Sequence, residues 1–217
     1  MIKRLLGRNT SESFDSANYW ESRYKSGGNS GEGSYDRYAE FKADVINEFL
    51  GEKNITRAIE FGCGDGNQAS LINYKEYIGL DVSETIVQKC IRKFQSDKNK
   101  SFFLYRGNAF SDPLGVFRCD LSLSLDVLYH LIEKDVYLEY IKNLFSVSNK
   151  YVVIYSSNIN VPQRSHELHR EFLKDVEYLF KDKWVLENTI INKYPAKNID
   201  DLSGSMANFY FFRKNPA

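Results

Sequence analysis

Ala58-Ile59-Glu60-Phe61-Gly62-Cys63-Gly64-Asp65-Gly66-Asn67-Gln68-Ala69-Ser70-Leu71 is the stretch that decides the fold. Ala58–Phe61 reads as a short buried strand, three alternate glycines follow, and a helix runs on through Leu71. Glycine permits tight or positive-φ turns and lets backbone approach a ligand closely, so strand, glycine turn and helix together suit a bound nucleotide. The spacing is G-x-G-x-G, with Asn67 where a dinucleotide fingerprint needs separation before its third glycine. That weakens a nicotinamide or flavin reading, and no Lys-Ser/Thr follows to make a phosphate loop.

Outward from this turn, strands and helices alternate. Tyr77–Asp81, Ser101–Arg106, Cys119–Leu125 and Tyr151–Tyr155 read as strands. Helices are expected over Tyr38–Phe49 with Gly51 as a stop, and over Glu84–Phe94, Lys134–Phe145 and Leu168–Phe180. This rhythm predicts a parallel sheet with helices on both faces. It breaks at the end, where strands Trp184–Ile191 and Asn208–Arg213 have no helix between them and should pair antiparallel. Their connection, with Pro195 and Gly204, is long for a hairpin and suggests a functional loop.

The N-terminal part differs in kind. Met1 to about Ser16 is polar and aperiodic, a loose arm, and Asn18–Lys25 suits a short helix. Ser26–Ser34 holds four glycines and three serines, which excludes regular structure and fits either a linker or a lid. We divide the chain into an arm and Gly/Ser-rich lid over residues 1–37 and one α/β domain over 38–217. The 29 basic and 29 acidic residues cancel, so the total charge does not point to a nucleic-acid partner. There is neither a signal-peptide core nor an apolar run of transmembrane length, so a cytoplasmic protein without membrane insertion is expected. Cys63, Cys90 and Cys119 form no CxxC pair, and reduced thiols are expected.

Chemistry-bearing residues recur at the carboxyl ends of the strands, the edge where open α/β sheets bind ligands. Asp81 ends the second strand, 15 residues after Gly66, where a carboxylate can accept both hydroxyls of a ribose; Asp81 and Ser83 also suit a helix N-cap. Gly107-Asn108-Ala109 follows the third strand, and an amide there can donate to and accept from an adenine edge. Leu125-Asp126-Val127-Leu128-Tyr129-His130 follows the fourth.

These elements together resemble the class I methyltransferase fold, over roughly Tyr38 to Arg213. The resemblance implies a Rossmann-like seven-stranded sheet, mostly parallel with the last strand antiparallel, and S-adenosyl-L-methionine as cofactor. Glu60-x-Gly62-x-Gly64-x-Gly66 is similar to the family's first motif, Asp81 to its ribose-binding acid and Asn108 to its adenine contact. Cys63, Asp65, Val82, Ala109 and Leu125 join the expected cofactor residues, with Cys63 contributing its backbone N–H and its thiol only packing. Asp126 and His130 fall in the segment lining the methyl-transfer pocket. Tyr19-Trp20-Glu21 and the Gly28–Ser34 stretch also look like small bacterial methyltransferases of surface-polysaccharide or secondary-metabolite pathways.

A hydroxyl acceptor needs its proton removed, and the chain has three histidines. His130 is the first candidate base or acceptor-binding group, His166 the second, Asp126 a group that could orient a base, and His169 a solvated helix residue. Trp20, Gly33, Ser34, Tyr35 and Tyr129 are expected to form substrate or lid contacts. No metal site is expected. The implied reaction is O-methylation of a hydroxyl on a sugar or other small polar acceptor. The alternatives are a catalytically silent cofactor-binding or scaffold protein, and a protein methyltransferase.

Overall fold

The seven strands order as β3-β2-β1-β4-β5-β7-β6, so the strand before the glycine turn lies near the middle of the sheet. In chain order the elements are α1 (Ser16–Lys25), α2 (Asp36–Glu52), β1 (Arg57–Phe61), α3 (Asn67–Leu71), β2 (Glu76–Asp81), α4 (Glu84–Lys93) and β3 (Lys100–Leu104). Then follow β4 (Cys119–Leu125), α5 (Lys134–Val147), β5 (Ser148–Ser156), α6 (Phe172–Phe180), β6 (Trp184–Ile190) and β7 (Asn208–Lys214). This computed structural model describes residues 14–201 and 203–216, so most of the expected N-terminal arm lies outside the described residues.

β1 pairs in parallel with β2 and β4, Glu60 lying opposite Gly79 on one side and Leu123 on the other. β7 runs antiparallel between β5 and β6, as the missing crossover helix predicted. The parallel strands finish in step: Asp81 pairs Leu104, and Leu125 pairs Tyr155. The residues leaving β1 to β5 therefore share one edge of the sheet.

Alternate side chains go to opposite faces. Ala58, Leu121, Leu123, Val153 and Phe211 pack with Ile46 and Phe49 of α2 and with Val87 and Cys90 of α4. Ile59, Phe61, Leu80, Val152 and Ile154 pack with Ile141 and Leu144 of α5 and with Phe172 and Val176 of α6. Each fully buried aliphatic chain of this kind contributes about 1.5–3 kcal/mol by leaving water.

α2 shows why the site is built as it is. Its buried positions Ala39, Ala43, Ile46 and Leu50 follow helical spacing, and Lys42 lies in the same stripe at 1% exposure. The helix continues through Gly51 instead of stopping there and caps at Lys53. The Ser26–Ser34 stretch, expected to hold no regular structure, contains a single 3-10 turn at Glu32–Ser34. The third strand is Lys100–Leu104, so Tyr105 and Arg106 already belong to the loop that follows it.

The largest difference is at the last helix, expected from Leu168 and observed from Phe172. Leu168 N–H donates instead to Tyr129 O at 2.7 Å, and Arg164 and Glu167 exchange backbone bonds at 2.8 and 2.9 Å. Asn158 Oδ1 accepts Leu173 N–H at 3.1 Å and Asn160 Oδ1 accepts Glu171 N–H at 3.1 Å, so side chains after β5 fix where α6 begins. His169 is consequently not a solvated helix residue; it is partly buried in the preceding loop.

Candidate active site

Gly62 and Cys63 donate their N–H groups to Leu80 O at 2.7 and 3.0 Å, folding the turn back over β2. Gly62 (φ 79°) and Gly64 (φ 54°) are left-handed. A Cβ on Gly62 would lie 2.5 Å from Val127 Cγ2, and one on Gly64 would meet Ser30 Oγ. Side chains are thus excluded at both positions by conformation and by space.

Asp81 sits under this turn. Its Oδ2 accepts Gly64 N–H at 3.0 Å and its Oδ1 accepts Ser83 N–H at 2.9 Å. Ser83, not Asp81, caps α4, its Oγ accepting Ile86 N–H at 3.2 Å. Burial pushes the Asp81 carboxyl up to about 6, against the pull of its backbone donors. Each carboxylate oxygen keeps a second lone pair, the requirement for receiving two ribose hydroxyls. Glu60 is buried beside it, accepts Tyr77 Oη–H at 2.7 Å, and is pushed up to about 7 by burial.

These groups open onto a cavity of about 670 Å³, within the range of cofactor sites. Of the residues expected to bind cofactor, Glu60, Gly62, Cys63, Gly64, Asp65, Asp81, Val82, Asn108 and Leu125 line it. Gly66 and Ala109 are not in its wall; Gly66 starts α3 in a left-handed conformation. The Cys63 N–H, expected to contact cofactor, is already spent on Leu80 O, leaving Cys63 as wall only. Asp65 holds the N-terminal segment: its Oδ2 accepts Ser30 N–H at 3.3 Å and the Tyr35 hydroxyl, and its own N–H donates to Ser30 Oγ at 2.9 Å.

A second cavity of about 360 Å³ adjoins the first, lined by Gly33, Ser34, Tyr129, His166 and His169 among others. Trp20, Asp126 and His130 stand in the walls of both. His130 Nδ1 lies 3.2 Å from His166 O, and burial holds the ring down to about 4, so it is neutral. The His130 and His166 rings are nearly parallel with centroids 5.1 Å apart, and the Trp20 ring meets His130 edge-on at 5.0 Å. Asp126, in a left-handed backbone conformation, accepts Lys42 Nζ–H at 2.5 Å and Tyr129 Oη–H at 2.7 Å. Tyr35 lines neither cavity; its hydroxyl donates to Asp65 Oδ2.

Sequence reasoning missed four residues here. Lys42 carried a signal, a charge inside an apolar stripe. Gln68 lines the first cavity with its Oε1 buried and without a partner. Ser157 and His169 carried none: they are 2.6 Å apart through Oγ and Nδ1, brought together by the loop after β5. Among the described residues one group could hold a metal ion, His130, His166 and Glu167, whose ligating atoms lie within 4.8 Å of one another.

A methyltransferase-domain family model matches residues 35–209. The chain belongs to this family. It is a class I S-adenosylmethionine-dependent methyltransferase. The unpartnered Gln68 Oε1, the Asp81 lone pairs and the size of the cavity fit that donor. The methyltransferase is similar in structure to the N-methyltransferase NodS from Bradyrhizobium japonicum WM9 in complex with S-adenosyl-L-homocysteine, with a TM-score of 0.67 and 13% identity, covering 94% of this chain and 100% of that one. It is also similar to magnesium protoporphyrin IX methyltransferase from Synechocystis PCC 6803 with bound S-adenosylmethionine: TM-score 0.65, 14% identity, 95% of this chain and 100% of that one. At such identities the likeness concerns the fold. In sequence, it is 29% identical over 91 residues to an mRNA cap guanine-N(7) methyltransferase from Candida glabrata, a match that takes in 36% of this chain and 22% of that relative. No described helix is long and apolar enough to cross a membrane.

Proposed function

We propose that this methyltransferase methylates a hydroxyl of a sugar or other small polar acceptor held in the second cavity. One observation carries the reading: Trp20, Ser30, Ser34, Asp126 and His130 belong to the walls of both cavities, so an acceptor there meets the donor across these five residues. When bound, S-adenosylmethionine supplies a methyl group on a cationic sulfur, and alignment then provides most of the rate. His130 presents Nδ1 to the His166 carbonyl, which assigns the ring proton to Nδ1 and leaves Nε2 to accept the acceptor's O–H. Asp126, held by Lys42 and Tyr129, orients that end of the cavity. His166, stacked on His130 and Tyr19, closes the outer side.

On this reading residues 1–37 act as an arm and lid over the 38–217 domain, Trp20, Gly33 and Ser34 contact acceptor, and the balanced charge disfavours nucleic acid. A place in polysaccharide modification and a cytoplasmic location are part of the same proposal. Its test is to incubate the enzyme with labelled donor and, in parallel, nucleotide sugars, free sugars, amines and capped RNA. We expect a single added methyl on a sugar oxygen, lost in His130→Ala. Label appearing only in RNA or on an amine nitrogen would overturn the reading.

A further inference from the structure

His169 stands in the wall of the second cavity and takes no step in the reaction proposed above. The loop that carries it is fastened to the loop after β4 at four points. Leu168 N–H donates to Tyr129 O at 2.7 Å, and Arg170 donates to Leu131 O and Ile132 O, both at 2.7 Å. His130 Nδ1 meets His166 O at 3.2 Å. Between these fastenings the His169 ring lies along Tyr129, with centroids 5.2 Å apart and planes 27° from parallel. His130 packs against the same tyrosine at 4.5 Å, so two imidazoles adjoin one side chain, and all three residues line the second cavity.

The two rings are held by partners of different kinds. A carbonyl only accepts, so His130 keeps its proton on Nδ1 and a lone pair on Nε2. His169 Nδ1 instead lies 2.6 Å from the hydroxyl of Ser157, the residue that follows β5. A hydroxyl both donates and accepts, so this bond alone leaves the tautomer open. Burial decides it. Ser157 is 1% exposed, and His169 is the only hydrogen-bond partner of its hydroxyl among the described residues. Were Nδ1 the donor, the Ser157 proton would be buried without an acceptor, which costs free energy. With Ser157 donating to a bare Nδ1, that proton is satisfied and the ring proton of His169 sits on Nε2.

We propose that His169 is a specificity-determining residue, donating its Nε2–H to a second oxygen of the acceptor beside the hydroxyl whose proton His130 Nε2 takes. The second cavity then offers a lone pair from one imidazole and an N–H from the other. That pairing fits a sugar with oxygens on adjacent carbons and disfavours an acceptor with one isolated hydroxyl. The acceptor contact rests on the O-methylation reading above, whereas the tautomer belongs to this chain alone.

Two measurements test it. Long-range proton–nitrogen spectra at about pH 8, where an ordinary imidazole is neutral, follow the three histidines of the wild-type chain. His169 should carry its proton on Nε2 and His130 on Nδ1. The second measurement uses labelled S-adenosylmethionine, the sugar methylated in the acceptor panel and its deoxy analogues lacking the oxygen on either adjacent carbon. One analogue should lose about 5- to 100-fold in kcat/KM, as for a hydrogen bond left unmade. His169→Phe, which keeps a ring against Tyr129, should turn over parent and analogue alike, and His169→Gln, which restores an N–H, should regain part of the preference. A His169 proton on Nδ1 overturns the proposal without any variant, and so does equal wild-type turnover of the parent and both analogues. A preference that survives in His169→Phe also overturns it, by placing the contact on another residue. If no sugar in the panel is methylated, the O-methylation reading fails and the acceptor contact fails with it, while the spectra still decide the tautomer.

Discussion

Glu21 of α1 accepts the Ser83 hydroxyl at 2.5 Å, so the N-terminal helix is tied to the loop that leaves Asp81. Thr85 adds its hydroxyl at 2.8 Å and its N–H at 3.2 Å. The Ser83 bond is the main reason the Glu21 carboxyl is held down to about 2, despite some burial acting the other way. These bonds join those of Ser16 in fixing α1, which runs on into Gly27, Gly28 and Gly31, beside the first cavity. Glu21→Gln keeps the size and weakens these bonds. We expect donor affinity to fall by about 3- to 10-fold, with faster tryptic cleavage at Arg23 and Lys25. Unchanged cleavage would show that α1 is held by its other contacts, the Ser16 bonds to Glu133 and His130 O and the edge-on packing of Trp20 against His130 among them.

Donor affinity should depend on pH in two steps. Asp81 is pushed up to about 6 and Glu60 up to about 7 in the free protein. Donor hydroxyls and a cationic donor both favour the ionised carboxylates, so binding below these values requires proton release. Affinity is full above about pH 8 and weakens as pH falls. Below about pH 6 each group contributes about a tenfold loss per pH unit. Asp81→Asn should remove the lower step and Glu60→Gln the upper one, read by calorimetry of S-adenosylmethionine from pH 5 to 8. A flat profile in the wild type would contradict the assignment of either acid to the donor.

What could be read from sequence divides by the range of the forces involved. The glycine turn was legible because its constraint is local: a left-handed backbone at Gly62 and Gly64 needs glycine wherever it occurs. Asp81 was legible because it ends a strand whose period was plain. The start of α6 was not, because it is set by Asn158 and Asn160, 15 and 11 residues upstream of the N–H groups they accept. The Ser157–His169 contact follows from that same loop and was invisible for the same reason. Cys63 illustrates a subtler limit. Its place in the turn was right, but which way its N–H points depends on Leu80 across the sheet.

Tyr140 gives a prediction about stability. Its hydroxyl is shared between Phe61 O at 2.9 Å and Ser124 Oγ at 2.8 Å, in the floor where β1, β4 and α5 meet. Tyr140→Phe leaves a buried carbonyl and a buried hydroxyl short of a partner, at a cost of about 1–3 kcal/mol. Tyr140 also lines the donor cavity, so bound S-adenosylhomocysteine should recover part of the lost melting temperature. A melting temperature equal to wild type in denaturation scans would show that the two groups find other partners.

His130 yields the sharpest expectation about the acceptor side. Burial is the main cause of its fall to about 4; the His166 carbonyl and Asp126 act against it and the neighbouring imidazoles with it. The ring is therefore neutral over the whole range in which an ordinary histidine titrates near 6.5. Between those values the unfolded chain takes up a proton that the folded chain refuses, so the stability associated with His130 is full above about pH 6.5 and declines as pH falls toward 4. The same neutrality means that any loss of turnover near pH 6.5 comes from another group. If His130 Nε2 accepts the substrate proton, His130→Ala should lower kcat by about 10²- to 10⁴-fold. With three histidines in the chain, nitrogen-detected ring spectra can follow this residue directly. They should show the proton on Nδ1, bonded to His166 O, from pH 8 down to 5. A midpoint near 6.5 would mean that the ring is open to solvent, and the proposed role would go with it.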